Sequence, residues 1–132
     1  MMKKDHGREV IDMEIVGKLI KIREQYYVTI PVHVHEKWRE FLMEDVHVVT
    51  LQYDENSNEL TVYPYQLNRR GEMRKVIKRG STWIITVPVA IGQKWYENGV
   101  MFVRKLFFDK EMKLVVKPLE GEVEVKVEGG GE

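Results

Sequence analysis

Residues 26–38 read Tyr-Tyr-Val-Thr-Ile-Pro-Val-His-Val-His-Glu-Lys-Trp, and residues 83–95 read Trp-Ile-Ile-Thr-Val-Pro-Val-Ala-Ile-Gly-Gln-Lys-Trp. Both stretches run from an aromatic residue through a β-branched segment with Thr to Pro-Val, and place Trp six residues after that Val. The matching positions are Thr29, Pro31, Val32 and Trp38 in the first copy and Thr86, Pro88, Val89 and Trp95 in the second, an offset of 57. At the same offset Lys18, Ile20 and Lys21 match Lys75, Ile77 and Lys78. Self-similarity at a fixed period marks a duplicated structural unit. A unit of roughly 50 residues buries too little surface to be stable alone. The two copies are therefore expected to complete one core.

Taken in order, residues 1–14 are polar, mixed in charge and without periodicity, and read as a tail. Ile15 to Ile22 is rich in β-branched residues and reads as a strand. Arg23-Glu24-Gln25 makes a polar turn, and residues 26–30 form a second strand. Pro31 has no N–H for a ladder and suits a helix start. Val34, Trp38 and either Phe41 or Leu42 recur at spacings of three to four, one apolar helical face. Residues 46–53 and 60–63 are two further strands around the turn-forming run 54–58. One repeat, residues 15–65, thus reads ββαββ.

Residues 66–73 form a basic connector. Residues 74–119 repeat the plan: a strand over 75–79, a Gly80-Ser81-Thr82 loop, and a strand over 83–87. A short helix from Pro88 carrying Ile91 and Trp95 comes next, then a stop at Asn98-Gly99 and a last hairpin. Residues 120–132 alternate Glu with Val over 122–127 before ending in Gly-Gly-Gly-Glu, and read either as an added edge strand or as a disordered end, with disorder expected at the glycines. The fold class expected is α+β, mainly β.

Charge bears on partners. The chain carries 21 Lys+Arg and 21 Asp+Glu, a formal net charge of zero. That total hides an asymmetry. Residues 15–65 balance at −3, residues 66–118 at +8, and residues 119–132 at −4. Such a pattern fits one strongly basic surface on a neutral molecule. No apolar run approaches the roughly 20 residues of a membrane span. The N-terminus does not lead into a signal-like apolar core. Without Cys there is no disulfide framework, and a cytoplasmic location is expected.

A basic strand, a glycine-containing polar loop, a second strand ending in Thr-Val-Pro, a short helix and a hairpin together resemble the SpoVT/AbrB swapped-hairpin family. Arg74-Lys75-Val76, Gly80-Ser81-Thr82-Trp83 and Thr86-Val87-Pro88 look most like its archaeal variety with the longer first loop. The resemblance covers about residues 15–119, twice over. It implies that two ββαββ units exchange hairpins to form one barrel with a pseudo-twofold axis, both units being supplied by one chain. Two such chains pairing repeat to repeat would give a homodimer of four repeats. The resemblance also implies double-stranded DNA binding by a transcriptional regulator. The rival it carries is the antitoxin half of a toxin–antitoxin pair, with the acidic residues 120–132 holding a toxin. Two departures stand out. Arg23, followed by Glu24, occupies the position of Gly80, and the segment from Trp38 to Val46 is longer than that from Trp95 to Val100.

The residues expected at DNA are Arg74, Lys75, Lys78, Arg79, Ser81 and Thr82, with Arg69 and Arg70 steering from the connector. Lys18, Lys21 and Arg23 are their counterparts in the first copy, weakened by Glu24. Lys and Arg neutralise phosphates, and hydroxyls and backbone N–H groups add neutral donors; such contacts position a protein without reading sequence. The plainer reading of the same cations is a solvated strand face. His33 and His35 on a helix point about 200° apart, which does not suit one metal ion, and no cofactor is expected. Nor does any spacing pair a nucleophile with a base, so no enzymatic activity is expected. Trp38 and Trp95 sit on apolar helix faces and are assigned to the core. Of the aromatics flanking each hairpin, one belongs inside and its neighbour partly outside.

Overall fold

Pro31 and Pro88 set the frame of each half, because each ends a strand and starts a helix. The carbonyl of Pro31 accepts from the N–H groups of Val34 (3.0 Å) and His35 (3.1 Å), and that of Pro88 from Ile91 (3.0 Å) and Gly92 (2.9 Å). The computed structural model describes residues 10–119. The first half comprises β1 (Met13–Lys18), β2 (Ile20–Ile22), β3 (Gln25–Ile30), α1 (Val32–Leu42), β4 (Val48–Asp54) and β5 (Glu59–Pro64). The second comprises β6 (Glu72–Lys75), β7 (Ile77–Arg79), β8 (Thr82–Val87), α2 (Val89–Glu97), β9 (Phe102–Phe108) and β10 (Lys113–Leu119). The fold is α+β and mainly β. Each of these strands and helices has its counterpart in the other half.

Pairing obeys the same rule. The six-stranded sheet has the order β1-β9-β10-β5-β4-β6, and the four-stranded sheet the order β2-β3-β8-β7. Exchanging the halves turns each order into its own reverse. The first strand of each half joins the C-terminal hairpin of the other, β1 on β9 and β6 on β4. Val28 faces Ile85 between β3 and β8, and Thr61 faces Val115 between β5 and β10. These are equivalent positions of the two copies, so the pseudo-twofold passes between them.

The ladders form two open sheets rather than the closed barrel expected from the sequence. The reason lies in the basic strands. The single strand expected through Lys18–Lys21 breaks at Leu19, and the one expected over 75–79 breaks at Val76. There the chain leaves one sheet and enters the other. Leu19 donates its N–H to the Met101 carbonyl (3.0 Å) and Val76 to that of His47 (2.8 Å), so neither residue continues a ladder. The expected tail also ends sooner than residue 14. Met13 and Glu14 pair with Phe107 and Leu106, and the Asp12 N–H donates to the Phe107 carbonyl at 2.8 Å. Residues 120–132, with the tail readings placed on them, lie outside the described residues.

The core sits between the sheets. Val28, Ile30, Ile85 and Val87 face it from the four-stranded sheet, and Leu60, Val62, Val103, Phe107, Leu114 and Val116 from the six-stranded one, all buried. The helices contribute Val34, Trp38 and Trp95 to it. The last helical position of that face is Leu42, which packs on the core, whereas Phe41 is exposed. Each Trp also crosses to the other half. Trp38 Nε1 donates to the carbonyl of Met112 in the β9–β10 turn (2.9 Å), and Trp95 Nε1 to Oδ1 of Asn58 in the β4–β5 turn (2.8 Å). Neither repeat closes its own core.

The copies differ where a helix meets a strand. Gly92 of α2 lies against the ring of Tyr26, where a Cβ would stand 2.5 Å from Tyr26 Cγ. The equivalent residue of α1, His35, is buried and stacks flat on Trp83 with ring centroids 4.0 Å apart. Burial lowers the His35 pKa below its ordinary value, against an opposing backbone hydrogen bond at Val46. A His with a lowered folded pKa is neutral in the native state while the unfolded chain already binds a proton. Stability is then full above about pH 6.5 and falls as pH drops below it. Replacing His35 with Phe is expected to flatten this fall below about pH 6.5, measured by urea unfolding.

A second difference concerns a buried cation. Lys105 on β9 is 1 % exposed, and its ammonium donates to Thr29 Oγ1. It lies over Gly17 of β1, where a Cβ would come 2.7 Å from its Nζ. The residue at the place of Lys105 in the other half is Leu51, and that at the place of Gly17 is Arg74. Desolvation lowers the Lys105 pKa from 10.5 to about 8.

Candidate nucleic-acid interface

A hairpin tip needs a residue that tolerates the left-handed conformation. Gly80 supplies it between β7 and β8 with φ 61°, and Arg23 adopts φ 59° at the same place between β2 and β3. The repeat therefore retains the turn geometry while exchanging the residue. No atom lies within 4 Å of where a Gly80 Cβ would stand, so the second tip is open to an approaching ligand.

Around that tip Lys78, Arg79, Ser81 and Thr82 are all exposed. Thr82 is not in the loop, as expected from sequence, but opens β8 opposite Arg79. Strand alternation divides the cations. Arg79 shares the outer face of the four-stranded sheet with Thr82, and Lys78 leans to the other side, its Nζ 5.1 Å from the centroid of the Trp83 ring. Lys75 is exposed on the edge strand β6 beside Val48.

The remaining residues of the expected cluster lie apart from the tip. Arg74 is half-buried and held by Glu72 at 2.6 Å. Arg69 places its guanidinium 4.9 Å from the centroid of the Tyr63 ring, and the carbonyl of Arg70 accepts from Gln52 Nε2 at 2.7 Å. Both contacts lie on the outer face of the six-stranded sheet. The physical reason is the break at Val76, which sends the chain before and after it to different sheets.

The first-copy cations take the opposite edge of both sheets. Lys18 ends β1, Lys21 lies in β2 with its Nζ 4.9 Å from the centroid of the Tyr96 ring, and Arg23 forms the tip. Two similar rows result, Lys18, Lys21 and Arg23 on one side and Lys75, Lys78 and Arg79 on the other, matched position for position at their first two members only. Among the described residues none of these six makes an ion pair. The four-stranded sheet and its two turns contain a single carboxylate, Glu24. Sequence reasoning missed Tyr96 under Lys21. Its position on the exposed side of α2 was readable, but its neighbour comes from the other repeat.

Comparison with protein-family models, with curated proteins and with solved structures gives no match.

Proposed function

We propose that this chain is a double-stranded DNA-binding transcriptional regulator of the swapped-hairpin kind, gripping the duplex through the β7–β8 hairpin. The observation that carries the reading is the tip itself. It presents two cations and two hydroxyls beside an open glycine turn, with no carboxylate on either strand. Kinship with the swapped-hairpin family is supported by the exchange of first strands between the halves. The two open sheets leave the closed barrel out of this proposal.

Symmetry adds to the case. Because β3 and β8 are antiparallel, the two tips lie at opposite ends of the four-stranded sheet. About nine residues along the strands and two strand spacings across separate them, about 30 Å. One turn of B-DNA is about 34 Å. Two tips related by a twofold thus meet one duplex at successive turns, with the second-copy tip contributing more because Glu24 opposes phosphate at the first.

The test is a titration of random-sequence duplex at two salt concentrations, repeated with Lys75, Lys78 and Arg79 all changed to Ala. Each phosphate neutralised contributes about −0.9 to the slope of log K against log salt. The triple variant is expected to have a slope shallower by about 2.7 and weaker binding at every salt concentration. Absence of binding by the unaltered chain at low salt overturns the DNA reading. An unchanged slope in the variant overturns this hairpin as the grip.

A further inference from the structure

The β2 edge is unpaired among the described residues. Its three residues alternate: Ile20 and Ile22 lie on the outer side, facing Tyr27 and Gln25 across the ladder, and Lys21 lies on the inner side beside Tyr26. Ile22 is 38 % exposed. At one end of the edge stands Lys18 and at the other Arg23, so an apolar pair is set within a row of three cations. An edge of this kind is a template for another strand.

The described chain ends beside it. Leu119, the last residue of β10, is paired with Phe102, and Phe102 is paired on its other side with Lys18. Two strand spacings, about 10 Å, thus separate the exit of β10 from the start of the cationic row. β10 and β1 are both antiparallel to β9, so the chain leaves the sheet in the direction in which β1 turns into β2. Three extended residue steps at roughly 3.3 Å each, those from residue 119 to residue 122, span that distance.

Beyond Leu119 the chain reads Glu-Gly-Glu-Val-Glu-Val-Lys-Val-Glu. From Glu122 the sequence also alternates, with Glu122, Glu124, Lys126 and Glu128 at the even positions and Val123, Val125 and Val127 at the odd ones. Laid along β2, one register sets Val against Ile20 and Ile22 and Glu against Lys21. Apolar and opposite-charge neighbours on adjacent strands stabilise a sheet. The equivalent edge, β7, has Arg79 where β2 has Ile22, so it lacks the apolar pair, and it lies on the far side of β3 and β8. We propose that residues 122–128 dock as an added strand on the β2 edge and cover the Lys18–Lys21–Arg23 row, leaving the Lys75–Lys78–Arg79 row as the open one. The docking itself is independent of the DNA reading. Its consequence, that only one of two similar cationic rows meets a polyanion, rests on that reading.

Amide hydrogen exchange of the full chain, resolved by NMR, tests it. Expected is protection of the β2 amides that point away from β3, lost by about tenfold or more when Glu122, Glu124 and Glu128 are all changed to Lys. Since those changes alter net charge, a second pair of variants isolates the contact. Lys21→Glu should lose the protection, and Lys21→Glu with Glu124→Lys should regain it. Equal exchange in the unaltered and triple-Lys chains overturns the proposal, as does failure of the charge exchange to restore protection. No nucleic acid enters this measurement. A failure of docking is therefore distinct from a failure to bind duplex, which the salt titration reads separately.

Discussion

Replacing Trp38 with Ala is expected to lower the unfolding free energy of the whole chain by about 3–5 kcal/mol, in one transition seen alike from both halves. Trp38 is fully buried, so the change leaves a cavity as well as removing apolar surface. It also strands the Met112 carbonyl that accepts the indole N–H. Met112 belongs to the other repeat, and the loss is therefore felt by the hairpin of the second half. Trp95→Ala should do the same to the β4–β5 turn through Asn58. Together the two changes amount to about 6–10 kcal/mol if they add as distant sites do. That is comparable with the roughly 5–15 kcal/mol total of an ordinary domain, and the double variant is expected not to fold. Urea unfolding followed by the tryptophan fluorescence of each single variant checks the claim. Two separate transitions, one per half, would mean that the repeats fold as independent units and that the shared core is wrong.

Lys105→Met is expected to raise stability at about pH 7 by about 2 kcal/mol, a gain that disappears by about pH 10.5. The folded pKa of Lys105 is about 8 against an ordinary 10.5. At about 1.36 kcal/mol per pH unit the burial of its charge costs roughly 3 kcal/mol, and the lost hydrogen bond to Thr29 returns about 1 kcal/mol of that. The sign comes from proton binding. Between pH 8 and 10.5 the unfolded chain holds the Lys105 proton and the folded chain does not, so the stability of the unaltered protein rises with pH across that window. Below pH 8 both states are charged and the full penalty is present. Met is the replacement of choice because it nearly matches the length of the stem over Gly17, whereas a shorter side chain would leave a void. The measurement is the difference in unfolding free energy between the two proteins at about pH 7 and about pH 10. A difference that does not change with pH would remove the buried charge as its cause.

Much of this architecture is legible without coordinates. Pro31 and Pro88 announce the strand-to-helix transitions, the spacing of Val34, Trp38 and either Phe41 or Leu42 announces the buried helical face, and the α+β class follows from the doubled ββαββ pattern. Gly80 marks its tip, and even the anomaly at Arg23 has its counterpart in the left-handed turn it adopts. The expected DNA-binding cluster is less well preserved. It is a count along the chain, and consecutive cations need not share a surface. Charge alone assigns Arg74 to a phosphate, yet Glu72, two residues before it, holds it at 2.6 Å.

The break at Val76 separates Arg69, Arg70 and Arg74 from Lys78 and Arg79, and no local pattern signals it. Nothing about Val76 or Leu19 is unusual until a carbonyl from another part of the chain takes up its N–H. The duplication, read from sequence alone, determined that there would be two similar halves, each turning its helix tryptophan, Trp38 or Trp95, into the core. Which half completes which, where the sheets part, and that Lys105 is buried while its counterpart is a leucine were decided only in three dimensions. Residue type and spacing act over a few positions, whereas these outcomes depend on strand edges and carbonyls contributed from far along the chain.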